Sequence, residues 1–349
     1  PDHPVIRIIV DFPDRPHDGV RSTVKTATII RISRQLPPSF ITVSPLCSTM
    51  ETRPLGEAGH ESSILTYGSI ALNFVDQERA NEMVEDALDA GVNHFDVAPT
   101  YGDAEVKLAP KLQEHRDDIF LGCKTQERTY YGAWGELHRS LERLGVDKID
   151  LYQFHALTRY DELDAIIGEY SPEMAQGDHD PGALQAMLDA KEAGLIDHIG
   201  LTSHGDPSLI RDAIKRIPEL ETVMFPYNYT LEAKEGPEYD YGSVLDLAEE
   251  KGLGTMCIKG FAKGPWDEDL PEDERPYDTW YEPYDTKAEI VECLRFALSQ
   301  GMTSIPNAGD PQLVPMILEA AEEYEAMSDE EQEALRERAK DNDSPVPAP

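Results

Sequence analysis

Asp96, Tyr101, Lys124 and His155 follow one another along the chain, each at or just beyond the end of a short apolar run. A carboxylate, a phenol, an amine and an imidazole drawn together can deliver a proton to an oxygen that is gaining negative charge. An ordinary tyrosine, with a pKa near 10, holds its proton at neutral pH and gives it up reluctantly. An adjacent ammonium stabilises the phenolate, and a carboxylate can hold that ammonium in place and keep it charged. An imidazole can orient or polarise a carbonyl. In this reading Tyr101 is the acid, Lys124 tunes it, Asp96 partners Lys124, and His155 orients the carbonyl. Each residue also has a plainer reading: a helix cap or turn former for Asp96, a rim ion pair for Lys124, half-buried packing for Tyr101, and a core histidine for His155.

The elements that must position these residues are legible in the periodicity. Short apolar runs fall at 64–70, 92–97, 119–124, 149–155, 199–202, 223–228, 254–259 and 303–306. Between them lie stretches with helical spacing: Met83, Val84, Ala87 and Leu88; Leu137, Leu141 and Leu144; Ile210, Ala213, Ile214 and Ile217; Val244, Leu247 and Ala248; Ile290, Leu294, Ala297 and Leu298. Gly91, Gly145, Gly194, Gly252 and Gly301 each stand where a helix must end before the next strand. Pro207 and Pro311 are expected in first helical turns. Eight βα units in this length predict an α/β fold, a closed (β/α)8 TIM barrel. An open doubly wound sheet is the alternative, but no GxGxxG follows any strand. Long loops after the fourth and seventh strands, 156–182 and 260–286, would lie on the C-terminal face, where such barrels carry their sites. Trp266, Trp280, Tyr281 and Tyr284 in the second loop either wall a pocket or anchor the loop.

Composition narrows the function classes. The formal charge is −37. Residues 1–49 carry six basic and four acidic side chains, which leaves −39 for the remainder. So acidic a barrel repels nucleic acid and anionic membrane. No apolar stretch approaches the length of a membrane span. Cys47, Cys123, Cys257 and Cys293 are far apart and form no CxxC, so neither a disulfide framework nor a metal site is expected, and a reducing cytoplasmic setting fits. The charge break beside Met50 suggests that 1–49 is an upstream or disordered extension, with the barrel over 50–327 and a C-terminal helix and tail over 328–349. Residues 344–349 are expected to be disordered.

From Gly91 to Glu105 the chain reads GVNHFDVAPTYGDAE. The aspartate, the tyrosine five residues on, its following Gly102 and Glu105 match the signature of the aldo-keto reductases, and the chain resembles that family over about 50–325. The opening at 51–56 also resembles the family, in which a short hairpin precedes the first barrel strand. The resemblance implies an NAD(P)H-dependent reductase of a small aldehyde or ketone, with NADP or NAD stretched across the barrel mouth. Strand ends that resemble the family's cofactor-holding positions supply Ser69 and Ile70, Ser203 and His204, Met224, Lys259, Gly260 and Phe261, then Ile305, Pro306, Asn307, Gly309 and Gln312. The match departs from the family at three places. Met224 replaces a glutamine that binds the carboxamide. Ser203 takes the place of an asparagine. Met316 and Ile317 replace a Glu-Asn pair that meets adenine. No Lys or Arg lies between Ile305 and Met316, whereas Asp310 does. A 2′-phosphate normally wants such a partner, so NAD becomes plausible beside NADP. Lys259 is open to a phosphate contact or a plain rim role. Two other functions stay in view: a lyase using Lys124 or Lys259 as a Schiff base, and a regulatory barrel with little turnover.

The dense carboxylates fit a protein adapted to high salt, where their mutual repulsion is screened within about 3 Å at molar ionic strength. The expected outcome is a thermal midpoint that rises steadily from dilute buffer to molar KCl. A midpoint indifferent to KCl would count against the adaptation.

Overall fold

In the computed structural model of the chain, residues 50–168 and 181–345 are described. The expectations for 1–49 and for 346–349 lie outside these residues, as does the middle of the loop at 156–182.

Eight parallel strands form one sheet: β3 (Leu65–Gly68), β4 (His94–Asp96), β5 (Phe120–Thr125), β6 (Ile149–Leu157), β7 (Ile196–Ser203), β8 (Thr222–Pro226), β9 (Gly254–Ile258) and β12 (Ile305–Pro306). Neighbours in space are neighbours in sequence, and β12 pairs back onto β3. A parallel bridge between Met256 and Ser304 joins β9 to β12 and closes the (β/α)8 barrel. The eight runs read from the sequence are these eight strands.

The connecting helices end where local chemistry requires. Helix α1 (Gln77–Asp89) starts at Asp76, whose carboxylate accepts from the Arg79 N–H. Helix α3 (Tyr130–Leu144) is capped by the Thr129 hydroxyl and ends on Gly145 at φ 67°, a left-handed angle that glycine adopts without strain. Helix α6 (Pro207–Arg216) begins on Asp206 with Pro207 in its first turn. The other proline departs from expectation. Pro311 lies in a turn before α10 (Val314–Glu322), and Pro315 occupies that helix's first turn instead. Both positions lack a need for an N–H donor, so composition alone could not choose between them.

Two cores result. The large one lies between strands and helices. A small one inside the barrel consists of Leu151, Met224 and Met256, flanked by Phe120 and Ile258. Alternation along each strand sends every second residue inward. The bottom of the barrel is covered by the hairpin β1 (Thr52–Pro54) with β2 (Glu61–Ser63), paired through Thr52 and Ser63. Its turn buries Leu55 completely and stacks His60 on Phe120 at 4.1 Å.

Both long loops carry secondary structure among the described residues. The first contains α4 (Tyr160–Ile166). The second contains a small hairpin, β10 (Ala262–Gly264) with β11 (Glu282–Pro283). The C-terminal α11 (Asp329–Ala339) starts at Ser328 in a capping box with Glu331. Ser344 and Pro345 follow it in defined positions.

Gly56 is the tightest point of the bottom cover. It sits at φ 55°, and a Cβ there would lie 2.2 Å from the Gly254 nitrogen and 2.5 Å from the Gly252 oxygen. Gly56→Ala is expected to lower unfolding free energy by about 2–4 kcal/mol. Denaturant titration checks this, and a loss below about 0.5 kcal/mol would mean that the hairpin does not seal the barrel.

Candidate active site

The C-terminal ends of the strands surround a cavity of about 350 Å³, lined among others by Asp96, Tyr101, His155, Thr202, Met224 and Trp280. Asp96 ends β4, and Lys124 lies one inward step beyond Gly122, which pairs with Asp96 across β4 and β5. The Lys124 Nζ donates to Asp96 Oδ2 and also reaches the Tyr101 hydroxyl at 3.2 Å and the Val97 carbonyl at 3.4 Å. Both charged groups are almost fully buried. The His155 ring meets the Tyr101 ring edge-on at 5.7 Å between centroids. The four residues thus come together at one end of the barrel.

Burial governs their protonation. It opposes the charge of Lys124, but the Asp96 carboxylate and Tyr101 oxygen outweigh it and hold the ammonium above its ordinary value. Burial also raises the Asp96 carboxyl, with Lys124 and Gln153 pulling against it. The Tyr101 phenol is raised as well: burial comes first, Lys124 works against it, and Asp96 adds to it. An adjacent ammonium by itself would bring this phenol down. Lys124 does act in that direction, but burial is the larger effect. Burial, helped by Lys124, His204 and Arg128, depresses His155 to about 2, so its ring is neutral. Its Nδ1 is buried with no hydrogen-bond partner among the described residues.

Two non-glycine residues here have left-handed backbones, Ala156 at φ 55° and Lys259 at φ 58°. Such strain gathers at functional sites because surrounding contacts must enforce it. Ala156 follows His155, at a register shift between β6 and β7, and Arg128 Nη2 clamps the His155 carbonyl at 2.7 Å. Lys259 follows β9, and Asn228 Nδ2 donates to its carbonyl at 2.9 Å.

Of the positions expected to hold a cofactor, Ile70, His204, Met224, Lys259, Pro306, Asn307 and Gly309 line the cavity. Ser69, Ser203, Gly260, Phe261, Ile305 and Gln312 do not. Ser203 faces outward and its hydroxyl donates to the Leu157 carbonyl at 2.7 Å. Phe261 and Ile305 are buried in the outer core. Gln312 Nε2 reaches the Pro276 carbonyl at 3.3 Å. Residues not anticipated also line the cavity: Gly68, Thr100, Gln126, Thr202, Ile258 and Thr279. Inward alternation was the available signal, since it selects Thr202 over Ser203 and Pro306 over Ile305. The aromatics of the second loop divide. Trp280 and Tyr281 line the cavity, while the Trp266 indole binds the Thr279 carbonyl at 2.7 Å and Tyr284 is buried against Tyr229.

Lys259 is the one lysine among the positions expected to hold a cofactor. Burial lowers its amine to about 8, and Nζ donates to the Pro345 carbonyl at 3.2 Å. No carboxylate pairs with it among the described residues, which suits a diphosphate. Asp310 is buried outside the cavity lining, and its oxygens accept from the Asp278 and Gln312 N–H groups at 2.7 and 2.8 Å. At the opposite end of the barrel a wider cleft of about 640 Å³ has both its cations paired, Arg116 with Asp150 at 2.8 Å and Lys148 with Asp197.

The sequence profile of the Aldo/keto reductase family matches residues 64–340. The chain belongs to this family. It is 26% identical over 229 residues to the uncharacterized oxidoreductase YqkF of Bacillus subtilis, covering 62% of this chain and 66% of that protein. It is 23% identical over 259 residues to the L-glyceraldehyde 3-phosphate reductase of Escherichia coli K12, covering 65% and 67%. The matched segments thus span about two thirds of these relatives. The structure of aldo-keto reductase AKR11C1 from Bacillus halodurans in its holo form superposes with a TM-score of 0.62 at 20% identity, over 82% of this chain and 96% of that one. Members of the family use NAD(P)H. Among the described residues no helix is long and apolar enough to cross a membrane.

Two buried histidines make stability depend on pH. His155 is held at about 2, and burial together with His60 and Lys124 holds His94 at about 3, both from an ordinary 6.5. The native rings stay neutral while unfolded rings take up protons below about 6.5, so the unfolded state binds more protons and stability falls with pH. Each ring contributes up to about 1.4 kcal/mol per pH unit. Denaturant midpoints are expected to fall from pH 6.5 to pH 5, less steeply in His94→Gln. Equal slopes would show that His94 is charged in the native protein.

Proposed function

We propose that the protein reduces an aldehyde or ketone of a small molecule, with Tyr101 as general acid. The observation that carries this reading is the chain Asp96–Lys124–Tyr101, buried at the floor of a cavity and flanked by a neutral His155. The carbonyl oxygen would sit between the Tyr101 hydroxyl and the His155 ring. The neutral imidazole has one N–H, and with Nδ1 enclosed, Nε2 is the nitrogen available to that oxygen. A bound nicotinamide dinucleotide supplies the hydride. As the oxygen gains charge, Tyr101 passes its proton to it, and the Lys124 ammonium stabilises the phenolate left behind. Asp96 keeps Lys124 charged throughout. A raised phenol pKa keeps Tyr101 protonated and ready across the neutral range.

Lys259 would hold the diphosphate. The absence of Lys or Arg from 306–315 favours NAD over NADP. Met224 offers a thioether where an amide would otherwise meet the nicotinamide carboxamide. Trp280 and Tyr281 would wall the substrate side. One observation favours a different chemistry: the lowered Lys259 amine suits a Schiff base. Lys124 does not, because Asp96 keeps it charged. Borohydride in the presence of a carbonyl substrate would trap a Lys259 adduct only if the lyase reading holds.

Titration with NADH and NADPH in molar KCl, followed by nicotinamide fluorescence, is expected to give saturable binding with NADH the tighter. Tyr101→Phe is expected to leave that binding intact and to lower kcat for carbonyl reduction by about a hundredfold or more. Failure of both nucleotides to bind folded protein, or full activity of Tyr101→Phe, would overturn the proposal.

A further inference from the structure

Gln153 is fully buried inside the barrel, on β6, two residues before His155. A buried amide needs partners at both ends, and this one has them. Its Nε2 donates to Asp96 Oδ1 at 2.9 Å, the carboxylate oxygen that Lys124 leaves free. Its Oε1 accepts from the Thr202 hydroxyl at 3.4 Å, and Thr202 lines the cavity. The amide cannot be turned over, because that would set its oxygen against a carboxylate oxygen.

The neighbouring strands are cut away to admit it. Gly200 pairs with Gln153 across β6 and β7, and a Cβ there would lie 2.8 Å from Gln153 Cγ and 2.3 Å from Thr222 Oγ1. Gly122 sits beside Asp96, and a Cβ there would lie 3.1 Å from Asp96 Oδ1 and 3.6 Å from Gln153 Nε2. Neither glycine has a left-handed backbone angle, so backbone conformation does not demand them. The space does.

We propose that Gln153 is a positioning residue: it fixes the Asp96 carboxylate in the rotation that keeps the Lys124 ammonium against the Tyr101 phenol. A carboxylate held on one oxygen alone can swing about its terminal bond. Held on both, it has a single orientation. Gln153 touches neither reacting atom and acts through Asp96. The inference rests on the reductase reading above for its kinetic form, but its structural content is testable without turnover.

Two variants are made in the full-length protein. Gln153→Met keeps the volume and removes the amide. Gln153→Glu restores a donor to Asp96 only while the introduced carboxyl is protonated, and repels Asp96 once ionised. Gln153→Met is expected to lose about ten- to a hundredfold in kcat, with KM for the carbonyl within about twofold, and to shift the alkaline limb of the kcat profile upward. Gln153→Glu is expected to recover toward wild-type kcat as pH falls. Near-ultraviolet titration of tyrosine, taken as the difference from the matching Tyr101→Phe protein, should place the Tyr101 phenol higher in Gln153→Met than in wild type. Unchanged kcat and an unmoved phenol in Gln153→Met would overturn the proposal, as would a kcat loss that comes with an unmoved phenol. If wild-type protein reduces no carbonyl, the reductase reading fails and the phenol titration still decides Gln153.

Discussion

The buried ion pair of Asp96 and Lys124 is the constraint around which the upper barrel is arranged. Two charges removed from water cost several kcal/mol each after relaxation, and only close geometry with further hydrogen bonds offsets this. Removing one partner of such a pair typically costs about 3–5 kcal/mol. The barrel meets the requirement locally. Asp96 and Gly122 are register partners, Lys124 stands one inward step higher, and Gly122 leaves room for the carboxylate. Val97, Tyr101 and Gln153 take up the remaining hydrogen-bonding capacity. A hydrophobic pair of similar volume would be an easier filling for this space, so the charges are best understood through what they do to Tyr101.

Around that pair the barrel is graded. Leu151, Met224 and Met256 form a small apolar cluster inside the barrel, and Met224 carries it up to the cavity wall. Above lie Thr202, His155 and the loop aromatics, where the walls become mixed and the cavity opens. The low-dielectric floor strengthens each electrostatic contact and raises the cost of leaving any group unpaired. It also keeps His155 neutral, which suits it to donate a hydrogen bond without adding a second positive charge beside Lys124. The strained backbones of Ala156 and Lys259 stand at the boundary between this rigid floor and the loops. Both are held by side chains from neighbouring units, Arg128 and Asn228.

The half of the cavity proposed for a cofactor carries fewer charges than the half around Tyr101. Its one cationic side chain on the cavity is Lys259, among the described residues, and its amine is drawn toward neutrality by burial. Asp310 is committed to the backbone of Asp278 and Gln312, so it ties the second long loop to the turn after β12. The chain carries a formal charge of −37, so under the proposed nucleotide binding the phosphates would approach against that field, and screening by salt would ease the approach.

Much of this was legible in the sequence. The eight strands, the closing glycines and the positions of Asp96, Tyr101, Lys124 and His155 at strand ends all follow from periodicity, turn chemistry and motif, which act over a few residues. The proline of the last barrel helix was misplaced from Pro315 to Pro311 because both satisfy the same local rule. Family resemblance pointed to Ser203 where inward alternation selects Thr202. What only the tertiary structure decided is pairwise and long-range: that Gln153 meets Asp96 57 residues away, that Gly200 makes room for it, and that burial outweighs Lys124 in setting the Tyr101 phenol. A sequence specifies which residues can do chemistry and which element carries them. Which residues face one another across the barrel, and how dry the space between them is, emerges only when strands distant along the chain close on one another.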